Sequence, residues 1–111
     1  MVALPKQETS HHISRLHNRQ TVLLGVQVRR KSERWFSCRI LDMSLVGFRL
    51  TSFAKLQRGM EVWIMFPGFE GRRAEVIWTA NHEAGCRLDQ PLHPAIFDHI
   101  VRMSDPAAER G

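Results

Sequence analysis

Residues 41–50 read LDMSLVGFRL, and this stretch predicts a strand, a short turn and a second strand. Strongly apolar segments precede and follow it, whereas Asp42, Ser44 and Gly47 interrupt its middle with residue types that favour turns. Two bulky apolar residues nevertheless lie between Ser44 and Gly47. The rest of the chain must therefore show whether this segment is only a turn or also part of a binding surface.

Apolar and polar residues alternate on both sides of this turn, which indicates further strands. Six segments alternate in this way: TVLLGVQVRR (21–30), RWFSCRIL (34–41), VGFRLTS (46–52), MEVWIMF (60–66), RRAEVIWTA (72–80) and EAGCRLDQ (83–90). After His93 the apolar residues recur at helical spacing, and Pro94 suits the first turn of a helix. The pattern predicts six strands followed by one helix.

Six short strands joined by brief turns predict an all-β fold, a six-stranded antiparallel β-barrel with a short C-terminal α-helix and a flexible N-terminal arm. Closing the sheet into a barrel removes the exposed strand edges. A chain of 111 residues suffices for one such domain. We expect the arm over residues 1–12, the barrel domain over 13–103 and a flexible tail over 104–111.

Composition and charge indicate a folded domain with an anionic partner. The hydrophobic fraction of 43% argues against a largely disordered chain. The net charge is +5 and thirteen of the sixteen basic residues are arginine, which favours an anionic partner. No apolar run approaches the ~20 residues of a membrane span, and no signal peptide is recognisable. We therefore expect no membrane insertion and a cytoplasmic location, with Cys38 and Cys86 as buried thiols.

Catalysis and metal binding have no support in the sequence. The six histidines lack the spacing of metal ligands, and Ser44 lies outside a GxSxG context. We expect no enzyme activity, no metal and no cofactor. Trp35, Trp63 and Trp78 alternate with other apolar residues, and we expect them to pack in or on the barrel rather than stack on bases.

Two arginines precede the first strand in the segment SRLHNRQ (14–20). The spacing of Arg15 and Arg19 places both guanidinium groups on one side of a helical turn, or lets a bent arm direct both inward. Arg30 and Arg34 have the same spacing but flank a hairpin turn, where basic side chains usually face water. The position between arm and barrel distinguishes the first pair.

RLHNR (15–19), followed by one hairpin and then by DMSLVG (42–47), resembles the PilZ domain, the bacterial receptor module for cyclic di-GMP. The signature of that family is RxxxR before the first strand and DxSxxG, in which Asn can replace Asp, at the turn after the second strand. All five signature positions are matched in order, by Arg15, Arg19, Asp42, Ser44 and Gly47. The resemblance covers about residues 13–103 and implies that these five residues bind cyclic di-GMP.

The chemistry of these residue types fits a dianionic ligand with two guanines. Arginine can bind phosphate bidentately, bond guanine O6 and N7, and stack on the purine plane. The Asp42 carboxylate can accept hydrogen bonds from the N1–H and N2–H₂ edge of guanine. Ser44 can form a hydrogen bond to a phosphate, to another part of the ligand or to the backbone of its own turn. Gly47 permits a backbone conformation, or a close approach of the ligand, that a side chain would block.

The resemblance implies a single-domain effector or adaptor of second-messenger signalling, in which cyclic di-GMP orders the N-terminal arm and alters the surface offered to an effector protein. In the family, an extra arginine just before RxxxR tends to accompany binding of a stacked ligand pair. Ser14 occupies that position here, so the resemblance favours one ligand per protomer over a stacked pair. One alternative is a small basic barrel that binds single-stranded nucleic acid, which requires exposed aromatic residues and steep salt dependence. Another is a PilZ-fold protein-interaction module that binds no ligand.

Overall fold

The strands begin and end close to where the alternating pattern begins and ends. The computed structural model describes residues 16–104 of the chain. Its elements are β1 (Gln20–Arg30), β2 (Phe36–Met43), β3 (Gly47–Thr51), β4 (Glu61–Met65), β5 (Arg72–Ala80), β6 (Glu83–Leu88) and helix α1 (Pro94–Met103). The prediction of six strands and one closing helix is confirmed.

Antiparallel pairing joins the strands into a closed barrel in the order β1-β2-β3-β6-β5-β4, with β4 returning to pair with β1. The link between β5 and β6 is the two-residue turn Asn81–His82, whose φ angles of 50° and 66° are those of a tight hairpin turn. Because the barrel is closed, none of the six described strands has an unpaired edge. The predicted six-stranded antiparallel barrel with a C-terminal helix is therefore confirmed, whereas the predicted arm (1–12) and nearly all of the predicted tail (104–111) lie outside the described residues.

Inward-facing residues of all six strands form the core. Val26 and Val28 of β1 and Ile64 of β4 are buried. The rings of Phe48 and Phe66 meet edge to face near the middle, with centroids 6.4 Å apart. Each large apolar side chain that is fully buried contributes about 1.5–3 kcal/mol to stability. The apolar interior thus holds the barrel closed and fixes which residues face outward.

Helix α1 packs its apolar face on the core through the buried residues Phe97 and Ile100. Its N-terminus is capped by His93, whose Nδ1 accepts a hydrogen bond from the backbone N–H of Ala95 at 3.0 Å. At its other end, the Ser104 hydroxyl accepts from the backbone N–H of Leu23 at 2.9 Å. No helix within residues 16–104 is long and apolar enough to cross a membrane.

Cys38 and Cys86 are free thiols inside the barrel, as the sequence predicted. Burial raises the pKa of Cys86 to about 12 and also raises the pKa of Cys38. Both side chains therefore stay protonated and unreactive near neutral pH.

Gly47 gives a test of this packing, because β6 passes very close to it. A Cβ atom at Gly47 would lie 2.5 Å from the carbonyl oxygen of Cys86, whereas a Cβ at Gly25 of β1 would meet nothing within 4 Å. We expect Gly47→Ala to lower the free energy of unfolding by about 1–3 kcal/mol, because the two strands must separate. We expect Gly25→Ala to change it by about 0.5 kcal/mol or less.

Urea denaturation followed by circular dichroism measures both free energies of unfolding. Equal urea midpoints for Gly47→Ala and Gly25→Ala would show that the close packing of β6 on β3 does not require glycine at position 47.

Candidate functional site

An irregularity in β2 directs Asp42 to the outside of the barrel. Ile40 and Met43 both point into the core, and neither is exposed. Regular alternation cannot place residues three apart on the same face. A bulge between Ile40 and Asp42 inserts the extra residue. Asp42 therefore faces outward, opposite Thr21 of β1 and Arg49 of β3.

The Asp42 carboxylate is held between two arginines. Its Oδ1 accepts a hydrogen bond from Nη1 of Arg19 at 3.0 Å, and its Oδ2 accepts one from Nε of Arg49 at 2.8 Å. Arg19 and Asp42 lie 23 residues apart in sequence, so the fold brings the two parts of the signature into contact. Charge-assisted bonds of this kind fix the orientation of the carboxylate.

Arg49 continues the contact to the next strand. Its Nη1 donates to Oε1 of Glu83 on β6 at 3.0 Å. The hydrogen bond to Asp42 is the largest cause of a raised pKa of Arg49, and Glu83 adds to it. We call the series Arg19–Asp42–Arg49–Glu83 the ionic chain. Arg49 and Glu83 were not predicted as site residues, because their proximity to Asp42 depends on strand register.

The ionic chain lies at the surface and therefore adds little stability. The side chain of Arg19 is 49% exposed and that of Asp42 is 19% exposed. Exposed ion pairs of this kind contribute about 0–1 kcal/mol. Their main effect is to orient the charges, and water or a ligand can replace one partner at low cost.

Ser44 closes its own turn in this structure. Its hydroxyl accepts from the backbone N–H of Val46 at 3.2 Å, and its own N–H donates to the carbonyl of Gly47 at 2.8 Å. The Ser44 side chain is only 1% exposed. Of the three partners considered for Ser44, the structure shows the turn backbone.

The two apolar residues of the turn attach it to the end of β6 and to the segment that follows β6. Leu45 is buried, and its carbonyl accepts from the backbone N–H of Leu92 at 2.8 Å. The carbonyl of Val46 accepts from the N–H of Leu88 at the same distance. Gly47 does not have a positive φ. Its lack of a side chain is instead required by the neighbouring β6 backbone.

A cleft of about 520 Å³ is lined mainly by residues of β5 and β6 and by one residue of each signature segment. His17, from the RxxxR segment, and Val46, from the turn, both line it, together with Arg87 and Arg73. Arg87 is the cross-strand partner of Gly47 and is paired with Glu75 at 3.0 Å. This volume is in the range of about 300–1,000 Å³ typical of small-molecule sites.

Trp78 lies on the same outer face as the ionic chain. Gly85 of β6 pairs with Arg49 on one side and with Trp78 on the other. A Cβ at Gly85 would collide with the indole ring, so Trp78 packs directly on the β6 backbone, as expected from the sequence. The side chain nevertheless stays 40% exposed.

Arg15 lies outside the described residues, so its place in the site remains a prediction. Of the four other predicted site residues, Arg19 and Asp42 meet at the surface, while Ser44 and Gly47 shape the turn beside them. Within residues 16–104, no three His, Cys, Asp or Glu side chains are grouped so that they could hold a metal ion.

Together, fold and site define a class of protein: a small closed barrel with an arginine–carboxylate surface beside a cleft of about 520 Å³. The family model of the PilZ domain matches residues 13–105. The chain therefore belongs to the PilZ domain family.

A solved structure agrees with this assignment. The chain is similar to the PilZ domain of CeSA from a cellulose-synthesizing bacterium, with a TM-score of 0.57 and 18% sequence identity. The similarity covers 78% of this chain and 94% of the other. At this identity the likeness concerns the fold alone. A search of curated proteins gives no match.

Proposed function

We propose that this protein binds cyclic di-GMP on the face formed by the ionic chain and the cleft beside it, and acts as a cytoplasmic effector or adaptor. The observation that carries the proposal is the 3.0 Å contact between Arg19 and Asp42, which joins the two halves of the family signature at one point of the surface. Membership of the PilZ family supports the identity of the ligand.

Arg19 and guanine offer similar donors to a carboxylate. The N1–H and N2–H₂ edge of guanine contains the same N–C–N unit as a guanidinium group and presents N–H donors side by side. In the free protein, Asp42 accepts from such a group on Arg19. The same carboxylate is therefore suited to accept the guanine edge when Arg19 leaves.

The proposed binding step is an exchange of partners at Asp42. Guanine replaces Arg19 on the carboxylate, and Arg19 turns to a phosphate of the ligand, where it makes a stronger, less hydrated contact. The exchange costs little because the pair that breaks is exposed. Each carboxylate oxygen can accept two hydrogen bonds, so Arg49 can keep its bond to Oδ2 and hold Asp42 in position.

The other signature residues have different proposed roles. Arg15 would supply a second guanidinium group to the phosphates. Ser44 and Gly47 would act through the shape of the turn, because the Ser44 hydroxyl is buried and Gly47 lies against β6. A direct contact between Ser44 and the ligand would require the turn to open.

The exposed aromatic residues give less support to a nucleic-acid-binding barrel. Stacking of successive bases requires several aromatic rings along one face. Among residues 16–104, only Phe53 and Trp78 are large exposed aromatic side chains. Two exposed rings favour a compact nucleotide over a long strand.

The first prediction concerns binding itself. The purified chain should bind one cyclic di-GMP per protomer in a calorimetric titration. Arg19→Ala and Arg15→Ala should each weaken binding about ten- to a hundredfold, because a hydrogen bond to a charged group contributes about 1.5–3 kcal/mol. Arg102→Ala, at the exposed end of α1, is the matched control and should bind as the unmodified protein does.

Circular dichroism should show that all three variants stay folded, since none of these arginines belongs to the apolar pattern of the sequence. Unchanged titration curves for both Arg15→Ala and Arg19→Ala would exclude the RxxxR segment from the site. Two ligands per chain would contradict the expected stoichiometry.

The second prediction concerns the choice of base. Asp42→Ala should weaken cyclic di-GMP binding and reduce the preference over cyclic di-AMP, because adenine lacks the N2 amino donor that the carboxylate accepts. Asp98→Ala, which removes an exposed carboxylate from α1, should leave the preference intact. Competition titrations with both dinucleotides measure it. If Asp42→Ala keeps the normal preference for cyclic di-GMP over cyclic di-AMP, Asp42 does not contact the guanine and only pairs with the arginines.

The third prediction concerns the arm. Ligand supplies the anion that Arg15 and Arg19 bind, so amide hydrogens of residues 14–20 should exchange more slowly in the complex than in the free protein. Amides within the strands should change little. Hydrogen exchange followed by NMR or mass spectrometry measures this difference. Equal protection with and without cyclic di-GMP would show that binding does not order the segment.

A further inference from the structure

Phe53 is exposed at the end of the barrel opposite the signature turn. Its side chain is 98% accessible to solvent. The strand pairing places the β1–β2, β3–β4 and β5–β6 connections at one end of the barrel and the β2–β3 turn at the other. Phe53 is the second residue of the β3–β4 connection, so it lies at the opposite end of the barrel from the β2–β3 turn.

The loop around Phe53 is held in place. The backbone N–H of Ser52 donates to the His82 carbonyl at 2.8 Å, and the Ser52 hydroxyl donates to the Ala54 carbonyl at 2.9 Å. Nη1 of Arg30 donates to the carbonyl of Lys55 at 2.9 Å. Phe53 is thus presented to solvent on an anchored loop, a property typical of interface residues that carry binding energy.

A concave surface adjoins the Phe53 ring. This cleft of about 400 Å³ lies between the β3–β4 connection and the β5–β6 turn, and we call it the Phe53 cleft. Leu56, Ala80 and Ala84 contribute apolar surface to it, and His82 lies beside the Phe53 ring with a centroid distance of 6.3 Å. The cleft can receive an apolar side chain of another molecule.

Lys55 lines the Phe53 cleft, and further cations lie in the connections at the same end of the barrel. Four cations in the connections at this end have no carboxylate within 4.0 Å among residues 16–104: Lys31, Arg34, Lys55 and Arg58. The acidic residues nearby are already neutralised, Glu33 by Arg30 and Glu83 by Arg49. An acidic partner would gain from these charges, whereas a second copy of this chain would bring the same cations to the contact.

We propose that the Phe53 cleft is a docking site for a short acidic segment of a partner protein, which inserts one apolar side chain beside Phe53. The concave shape favours such a side chain over the flat surface of a bilayer. The surface would serve the adaptor role, so its biological meaning rests on the proposed function. The docking chemistry itself does not require cyclic di-GMP.

Glu83 connects the Phe53 cleft to the ionic chain. It lines the cleft and accepts from Arg49, which also holds Asp42. Removing the positive charge of Arg49 would leave the Glu83 carboxylate unpaired at the cleft and oppose an acidic segment. Removing Arg19 would affect Asp42 alone. Arg19→Ala therefore changes the ligand site without changing the Phe53 cleft, whereas loss of the Arg49 charge is expected to affect both.

The test is an NMR titration of the isotope-labelled chain, residues 1–111, with three synthetic peptides. One is glutamate-rich with a central leucine, the second has alanine in place of the leucine, and the third has lysine in place of the glutamates. Only the first should shift the amide signals of residues 52–56 and 79–84 to saturation. Phe53→Ala and Lys55→Glu should each weaken its binding about tenfold or more.

Arg102→Glu changes the net charge as Lys55→Glu does, but on α1, and should leave peptide affinity within about twofold. Arg49→Gln should weaken the peptide and Arg19→Ala should not. Equal binding of the alanine peptide, or shifts outside the Phe53 cleft, would overturn the proposal. So would Phe53-dependent binding to phosphatidylglycerol vesicles without peptide binding, since it would indicate a membrane contact.

Cyclic di-GMP titrations of Phe53→Ala keep the two proposals separate. This variant should bind the dinucleotide normally. If Phe53→Ala loses the peptide but binds the dinucleotide normally, Phe53 serves docking alone. If the unmodified protein binds the peptide but no dinucleotide, only the proposed function is contradicted.

Discussion

The bulge between Ile40 and Asp42 is the constraint on which the surface chemistry of this barrel depends. The core requires both Ile40 and Met43 to face inward, and only an extra residue in β2 allows this. The same irregularity turns the Asp42 carboxylate to the outside, within reach of Arg19 and Arg49. Packing inside the barrel and charge placement outside it therefore have one common cause.

A surface carboxylate between two arginines is also a reversible arrangement. Buried ion pairs resist exchange because a lone charge left in the interior is costly, but exposed pairs exchange partners readily. Asp42 keeps one arginine from β3 and one from the segment before β1. The strand arginine can hold the carboxylate in place while the other is replaced by a ligand. The site is thus built partly on rigid strands and partly on the chain that precedes them.

The sequence predicted the strands, the helix and the closed barrel because alternation and turn residues report directly on local structure. It grouped Arg19 and Asp42 in one site only through the family signature, and it did not predict the ion pair between them. Arg49, Glu83 and Arg87 were missed, since their positions follow from cross-strand register and bulges, which alternation does not reveal. The sequence pattern also did not predict the burial of Ser44 or the exposure of Phe53, because both depend on how the connections fold back on the barrel.

The central claim is that guanine takes the place of Arg19 on the Asp42 carboxylate. Proton NMR of the complex tests it most directly, through the N1–H imino proton of bound cyclic di-GMP. If Asp42 accepts a hydrogen bond from guanine, the bound ligand should give a downfield imino signal that exchanges slowly with water. This signal should be lost in the complex of Asp42→Asn, which keeps the shape of the side chain but not the charge. An imino proton that exchanges as fast in the complex as in free ligand would contradict the claim.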